Sequence, residues 1–105
     1  MQVKFIKNGK TLTLYVFGEL DECSSSIAKE ILDKVLIDNL GCSKVIFNLS
    51  GLSFMDSTGV GLLIGRYKKL KKLGIKGYIS NPSFQIDKIL QISGIYDIMP
   101  KYKRG

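Results

Sequence analysis

The run Lys44-Val45-Ile46-Phe47-Asn48-Leu49 leads through a short loop, Ser50 to Met55, into Asp56-Ser57-Thr58-Gly59-Val60-Gly61. The first segment is almost continuously apolar, as a strand covered on both faces or over most of one would be, and it reads as the centre of a sheet. Beyond the loop, Val60, Leu63, Ile64, Tyr67 and Leu70 recur at helical spacing until Gly74 stops the pattern. Asp56 stands where an N-cap is needed.

Toward the amino terminus, Gln2 to Ile6 and Thr11 to Phe17 read as strands of a hairpin that turns at Lys7-Asn8-Gly9-Lys10, with Asn-Gly supplying positive φ angles. Leu12, Leu14 and Val16 alternate with Thr11, Thr13 and Tyr15, so one side of the second strand is buried. After Gly18-Glu19-Leu20-Asp21, the serines at 24, 25 and 26 can cap a helix that runs to about Leu40 and ends at Gly41. Its buried face is expected at Ile27, Ile31, Val35 and Leu36. Toward the carboxy terminus, Ile75 to Ile79 forms a weak strand and Asn81-Pro82 opens a third helix, with Asn as cap and Pro at the first helical position. That helix carries Phe84, Ile86, Ile89, Leu90 and Ile92 and ends at Ser93-Gly94; Ile95 to Met99 is expected to add a last short strand. The order β-β-α-β-α-β-α-β predicts an α/β fold, a single domain over residues 1–105 with one mixed β-sheet packed against helices.

A chain of 105 residues, 45% of them hydrophobic, can bury a core without disulfide or metal staples. Cys23 and Cys42 lie too far apart for a CxxC pair, and with no histidine in the chain no Cys/His metal site is expected; free thiols in a reducing cytosol are. The lack of histidine also removes Ser-His-Asp and Cys-His nucleophile schemes, which leaves catalysis by Lys or carboxylates open on the residues alone. No apolar run reaches membrane-spanning length and the amino terminus has no secretory h-region, so a cytoplasmic protein without membrane contact is expected. The net charge of +7 raises the alternative of a basic nucleic-acid-binding module. Six of the sixteen cations fall between Arg66 and Lys76 and three more at Lys101, Lys103 and Arg104. The first cluster occupies the last turns of a helix, where cations suit the carbonyl end and Lys stems cover apolar surface. With no nucleic-acid-reading motif beside it, a solvated helix face is the simpler reading, and no direct nucleic-acid partner is expected of the protein.

Gly59, Gly61 and Gly65 conflict with the helix that contains them, since each costs about 1 kcal/mol relative to Ala. Such conflicts mark candidate functional positions. Gly65 has a plain structural reading, close approach of helix to sheet, whereas Gly59 and Gly61 lie in the first turn, where a partner's backbone can approach. The spacing Gly59, Gly61, Gly65 is one residue too long for a dinucleotide-binding G-x-G-x-x-G, and no acidic residue stands about 20 positions on. Ser57 is a hydroxyl at a helix start, where a phosphate would face free N–H groups and the positive end of the helix.

Asn48-Leu49-Ser50-Gly51-Leu52-Ser53-Phe54-Met55-Asp56-Ser57-Thr58-Gly59-Val60-Gly61 with its downstream helix resembles the signature of STAS-domain anti-sigma factor antagonists. Gly18-Glu19-Leu20-Asp21, Asn81-Pro82 and Ile92-Ser93-Gly94-Ile95 agree with it, so the likeness covers nearly the whole chain. The resemblance is greatest to the branch that acts on the anti-sigma-F factor in sporulation. It implies an anti-anti-sigma factor whose unphosphorylated form binds an anti-sigma factor serine kinase and releases the sigma factor, sigma F on this likeness, with a STAS regulator of another sigma system as the alternative within the family. It further implies that the kinase, using ATP, phosphorylates Ser57 and so ends binding, that a serine phosphatase reverses the step, and that the protein needs no cofactor of its own. By the same resemblance the partner-binding residues are Glu19, Asp21, Asp56, Ser57, Thr58, Gly59 and Gly61.

Overall fold

Alternation of apolar and polar residues along β2 (Thr11–Leu20) gives the sheet one buried side, and three of the other four strands pair with this one. The computed structural model describes residues 1–102; the basic end at Lys103 and Arg104 lies outside the described residues. β1 (Gln2–Asn8) pairs antiparallel with β2, Asn8 opposite Thr11, so the turn proper is Gly9-Lys10. Positive φ therefore falls on Gly9 alone, at 62°, and not on an Asn-Gly pair.

On its other edge β2 serves two partners in succession, running parallel to β3 (Lys44–Asn48) over Thr11–Tyr15 and to β4 (Leu52–Met55) over Gly18–Leu20. The register shifts between Gly18 and Glu19, where Gly18 takes φ 95°, a conformation open to glycine at little cost. β5 (Lys76–Ser80) lies parallel to β3 on its far side, giving the order β1-β2-β3-β5. The mixed sheet is as expected, with one addition. The segment expected as loop contains β4, a strand too short, and too uneven in its burial, for alternation to reveal it.

α1 (Ser25–Asp38), α2 (Ser57–Lys72) and α3 (Phe84–Ser93) cover one side of the sheet, where Leu12, Leu14 and Val16 join Leu32, Leu63 and Leu90 in a single core. α2 follows its expected course, though Ile64 and Tyr67 are only partly buried. α1 is rotated from expectation. It buries Ala28, Leu32 and Leu36, while Ile27 is 59% exposed and Ile31 and Val35 lie at the border. It also ends sooner, at Asn39 and not Gly41. In α3 the cap is Ser83, whose Oγ accepts the N–H of Ile86 at 3.3 Å. Asn81 instead has φ 53°, kept from the helix by Pro82 after it.

Ile95–Asp97 is a single 3-10 turn in place of the expected strand. The sheet pairing expected there falls a few residues later, where Ile79 donates to the Pro100 carbonyl at 3.1 Å and Tyr102 donates to that of Ile79 at 2.8 Å. Asp87 of α3 holds this segment, accepting from Lys101 at 2.8 Å and from the Tyr96 hydroxyl. These bonds, Lys101 first, keep the Asp87 carboxyl below its ordinary range, while burial and Asp87 push the Tyr96 phenol up. No helix among the described residues is long and apolar enough to cross a membrane.

Candidate functional site

The bulge at Gly18 and the short β4 bring two chain segments together: the corner from Glu19 to Cys23 and the first turn of α2. Asp56 joins them. Its Oδ1 accepts the N–H of Gly59 at 3.1 Å, capping α2, and its Oδ2 accepts the N–H of Glu22 at 3.3 Å. Its own N–H donates to the Leu20 carbonyl at 3.4 Å. N-capping was legible in the sequence; the second bond, which makes the same carboxylate a tie to the corner, was not.

Within the corner, Ser24 has a different role from the one expected of a helix cap. Its side chain makes no capping bond to α1; it accepts from the Asp21 N–H at 3.0 Å and donates to the Glu19 carbonyl at 2.9 Å. Asp21 answers through Oδ1, which accepts the Ser24 N–H at 3.0 Å. That backbone donor holds the Asp21 carboxyl below its usual range against the opposing effect of desolvation, with the Ser24 hydroxyl and Glu19 adding to the lowering. Asp21 therefore stays ionised and locally engaged, while Glu19 is exposed.

Ser57 and Thr58 are both exposed but open onto different hollows. Ser57 borders an apolar groove of about 320 Å³ formed with Val60 of α2 and Ile89, Ile92 and Ser93 of α3. Thr58 lines a shallower hollow with Ser25, Ser26, Lys29 and Leu62, facing α1. Ile92 is 88% exposed and Phe54 on β4 is also open to solvent, so an uncovered apolar surface adjoins Ser57. The sequence reading placed Ile86, Ile89, Leu90 and Ile92 on one helix without separating them; only Ile86 and Leu90 are buried in the core.

The three glycines separate cleanly. Gly59 is buried, and a Cβ there would collide with the Leu20 carbonyl oxygen and come within 2.9 Å of Met55 Cγ. It is a packing glycine, required by the close approach of β2 at Leu20 and β4 at Met55. Gly61 is exposed, and nothing lies within 4 Å of a Cβ built on it. Gly65 is equally unobstructed, so close approach to the sheet does not account for it. The α2 cluster changes too. Arg66 is only 4% exposed and faces Asp33 of α1, Nε to Oδ1 at 3.0 Å, at an angle that makes no hydrogen bond. Lys69 takes the other Asp33 oxygen at 3.0 Å. Two of the six cations are thus committed to an interhelical contact.

Residues 2–104 match the STAS domain family. The chain belongs to that family. Among STAS relatives, an anti-sigma F factor antagonist of Lysinibacillus sphaericus is 35% identical over 86 residues, which cover 82% of this chain and 73% of the relative. An anti-sigma-B factor antagonist of Staphylococcus aureus is 31% identical over 99 residues, 94% of this chain and 90% of that one. The solved structure of the anti-sigma factor antagonist SpoIIAA in its unphosphorylated form superimposes with a TM-score of 0.77 at 28% identity, covering 98% of this STAS chain and 90% of the other. SpoIIAA has also been solved in a phosphorylated form, which matches with a TM-score of 0.69.

Proposed function

We propose that this STAS protein is an anti-sigma factor antagonist that binds an anti-sigma factor serine kinase and is released when the kinase phosphorylates Ser57. The observation that carries the reading is the position of Ser57. It is an exposed hydroxyl in the first turn of a helix, tied through Asp56 to an acidic corner and bordered by an uncovered apolar groove. Apolar surface at the centre, with carboxylates at Glu19 and Asp21 beside it, suits a protein partner that presents Arg or Lys. The antagonist relatives and the SpoIIAA likeness support the class of function, and the 35% identity to the anti-sigma F factor antagonist of L. sphaericus leads us to propose the sporulation system. A serine phosphatase would restore the active form.

The kinase would transfer the γ-phosphoryl group of ATP to the Ser57 hydroxyl, adding about −1.5 to −2 charges. At the start of α2 that charge is mildly favourable to the helix, by about 0.3 to 1 kcal/mol. Binding changes in the opposite direction, because the phosphate must be buried beside Asp56 against a surface shaped for a hydroxyl. A loss of about 2.8 kcal/mol weakens the complex roughly a hundredfold.

Incubation with the anti-sigma kinase and ATP, with mass spectrometry and calorimetry as readouts, tests this. Ser57→Ala is expected to bind and resist phosphorylation, Ser57→Asp to fold and bind roughly a hundredfold more weakly, and Thr58→Ala to remain a substrate. Phosphate on Thr58 alone, or equal binding by the phosphorylated and unmodified proteins, overturns the reading.

A further inference from the structure

The side of the sheet turned away from the helices takes no part in the surface around Ser57. By strand register, Lys4, Tyr15, Phe17, Lys44, Lys76 and Tyr78 all project to that side. No residue that β1, β3, β5 or the Thr11–Phe17 part of β2 sends there carries a carboxylate. None of the three lysines has an acidic partner among the described residues. Two of them lie against aromatic rings: Lys4 Nζ is 5.9 Å from the Phe17 centroid, and Lys44 Nζ is 5.8 Å from that of Tyr78 and 5.2 Å from that of Tyr102, while Lys76 is exposed opposite Lys44 in the strand register. Beside these rings opens a hollow of about 440 Å³, lined by Tyr15, Tyr102 and Ile46 together with the polar Thr13, Asn48, Ser80 and Asn81. Ile46 is buried but stands outside the core cluster beneath the helices.

We infer that this open face binds single-stranded nucleic acid. Aromatic rings displayed on a sheet stack on bases whatever their sequence, and lysines around them neutralise the phosphates of the chain that joins those bases. The hydroxyls and amides of the hollow can hydrogen-bond base edges, which a single strand exposes and a duplex hides. The net charge of +7 favours a polyanion in general, and the carboxylate-free face gives that preference a location. A second copy of the chain would bring lysine against lysine. An anionic lipid surface would satisfy the lysines and leave the polar hollow without a use. Lys71 of α2 adjoins this surface, sharing a hollow with Lys76 and Tyr78, whereas Lys68 and Lys72 do not line it, and the proposed switch at Ser57 lies elsewhere.

Fluorescence anisotropy with labelled oligouridylate and oligothymidylate of about twelve nucleotides tests the inference, with the duplex of equal length and phosphatidylserine vesicles as comparisons. Both single strands are expected to bind more tightly than the duplex, with a log–log salt slope near about −2 for three neutralised phosphates. Tyr15→Ala and Tyr78→Ala should each weaken binding roughly tenfold, the Phe variants should retain it, and Lys44→Gln should flatten the slope by about 0.7. Lys68→Gln with Lys72→Gln, and separately Ser57→Asp, should leave it unchanged. Absence of binding to either single strand at low salt overturns the inference. So does loss of binding only with the Lys68 and Lys72 substitutions, or binding to vesicles alone that Lys44→Gln abolishes.

Discussion

The first and third turns of α2 lie on one helix and are built on opposite plans. At Ser57–Gly61 every side chain but the buried Val60 is small and exposed or absent, and one carboxylate, Asp56, ties the turn to the neighbouring corner. At Arg66–Leu70 the helix is held by bulk and charge, with Leu70 in the core and Arg66 buried against Asp33 of α1. The difference separates anchoring from presentation. The far turns fix the helix axis, and the first turn is left free to display a hydroxyl that another protein can reach.

That division can be tested by substitution. Asp33→Ala should have the largest effect, lowering unfolding free energy in urea by about 3 kcal/mol, because it leaves the Arg66 guanidinium buried without its counter-charge. The low end of the usual range applies, since the Asp33 side chain keeps 20% exposure. Adding Arg66→Met should recover much of the loss, and if it does not, the third turn is not held by charge. Next comes Gly59→Ala, expected to cost about 2 kcal/mol by overpacking against Leu20 and Met55. Its counterpart Gly61→Ala, with open space around it, should instead stabilise by about 0.5 to 1 kcal/mol. Equal shifts at the two positions would erase the distinction between packing and presenting glycines.

The smallest effect concerns the corner. The folded Asp21 carboxyl titrates below its ordinary value of 3.8, so its contribution to stability is present above that value and is lost as pH falls through the folded one. Asp21→Asn keeps an oxygen to accept from Ser24 and removes the titration. Melting temperatures followed downward from about pH 6 should therefore fall less steeply for the variant on the acid side. An unchanged acid limb would place the pH sensitivity elsewhere.

Most of the architecture could be read from periodicity, and the failures have physical causes. In α1 two apolar ladders, Ile27/Ile31/Val35 and Ala28/Leu32/Leu36, stand one residue apart and turn only about 100° on the helix, so hydrophobicity alone does not choose between them. The choice belongs to the neighbouring helix and sheet. β4 is four residues long and is recruited by the Gly18 bulge, a long-range event with no local signal. At the site, Asp56 and Ser57 were legible because capping is local chemistry. The opposite fates of Gly59 and Gly61 were not, because a glycine's neighbour across the fold leaves no mark in its own sequence. The open face of the sheet was hidden for a similar reason. Lys4 and Phe17, like Lys44 and Tyr78, are remote in the chain and meet only through strand register.

The two hydrogen bonds of Asp56 bear on how fast and how tightly a partner can dock. Because one carboxylate holds the Glu22 amide and the Gly59 amide together, both halves of the surface sit in fixed relative position before any encounter. A partner then meets a preassembled template and loses little additional conformational entropy in ordering it, so a modest contact area can still yield useful affinity. Loosening Asp56 would show less in the shape of the bound complex than in the entropy of forming it.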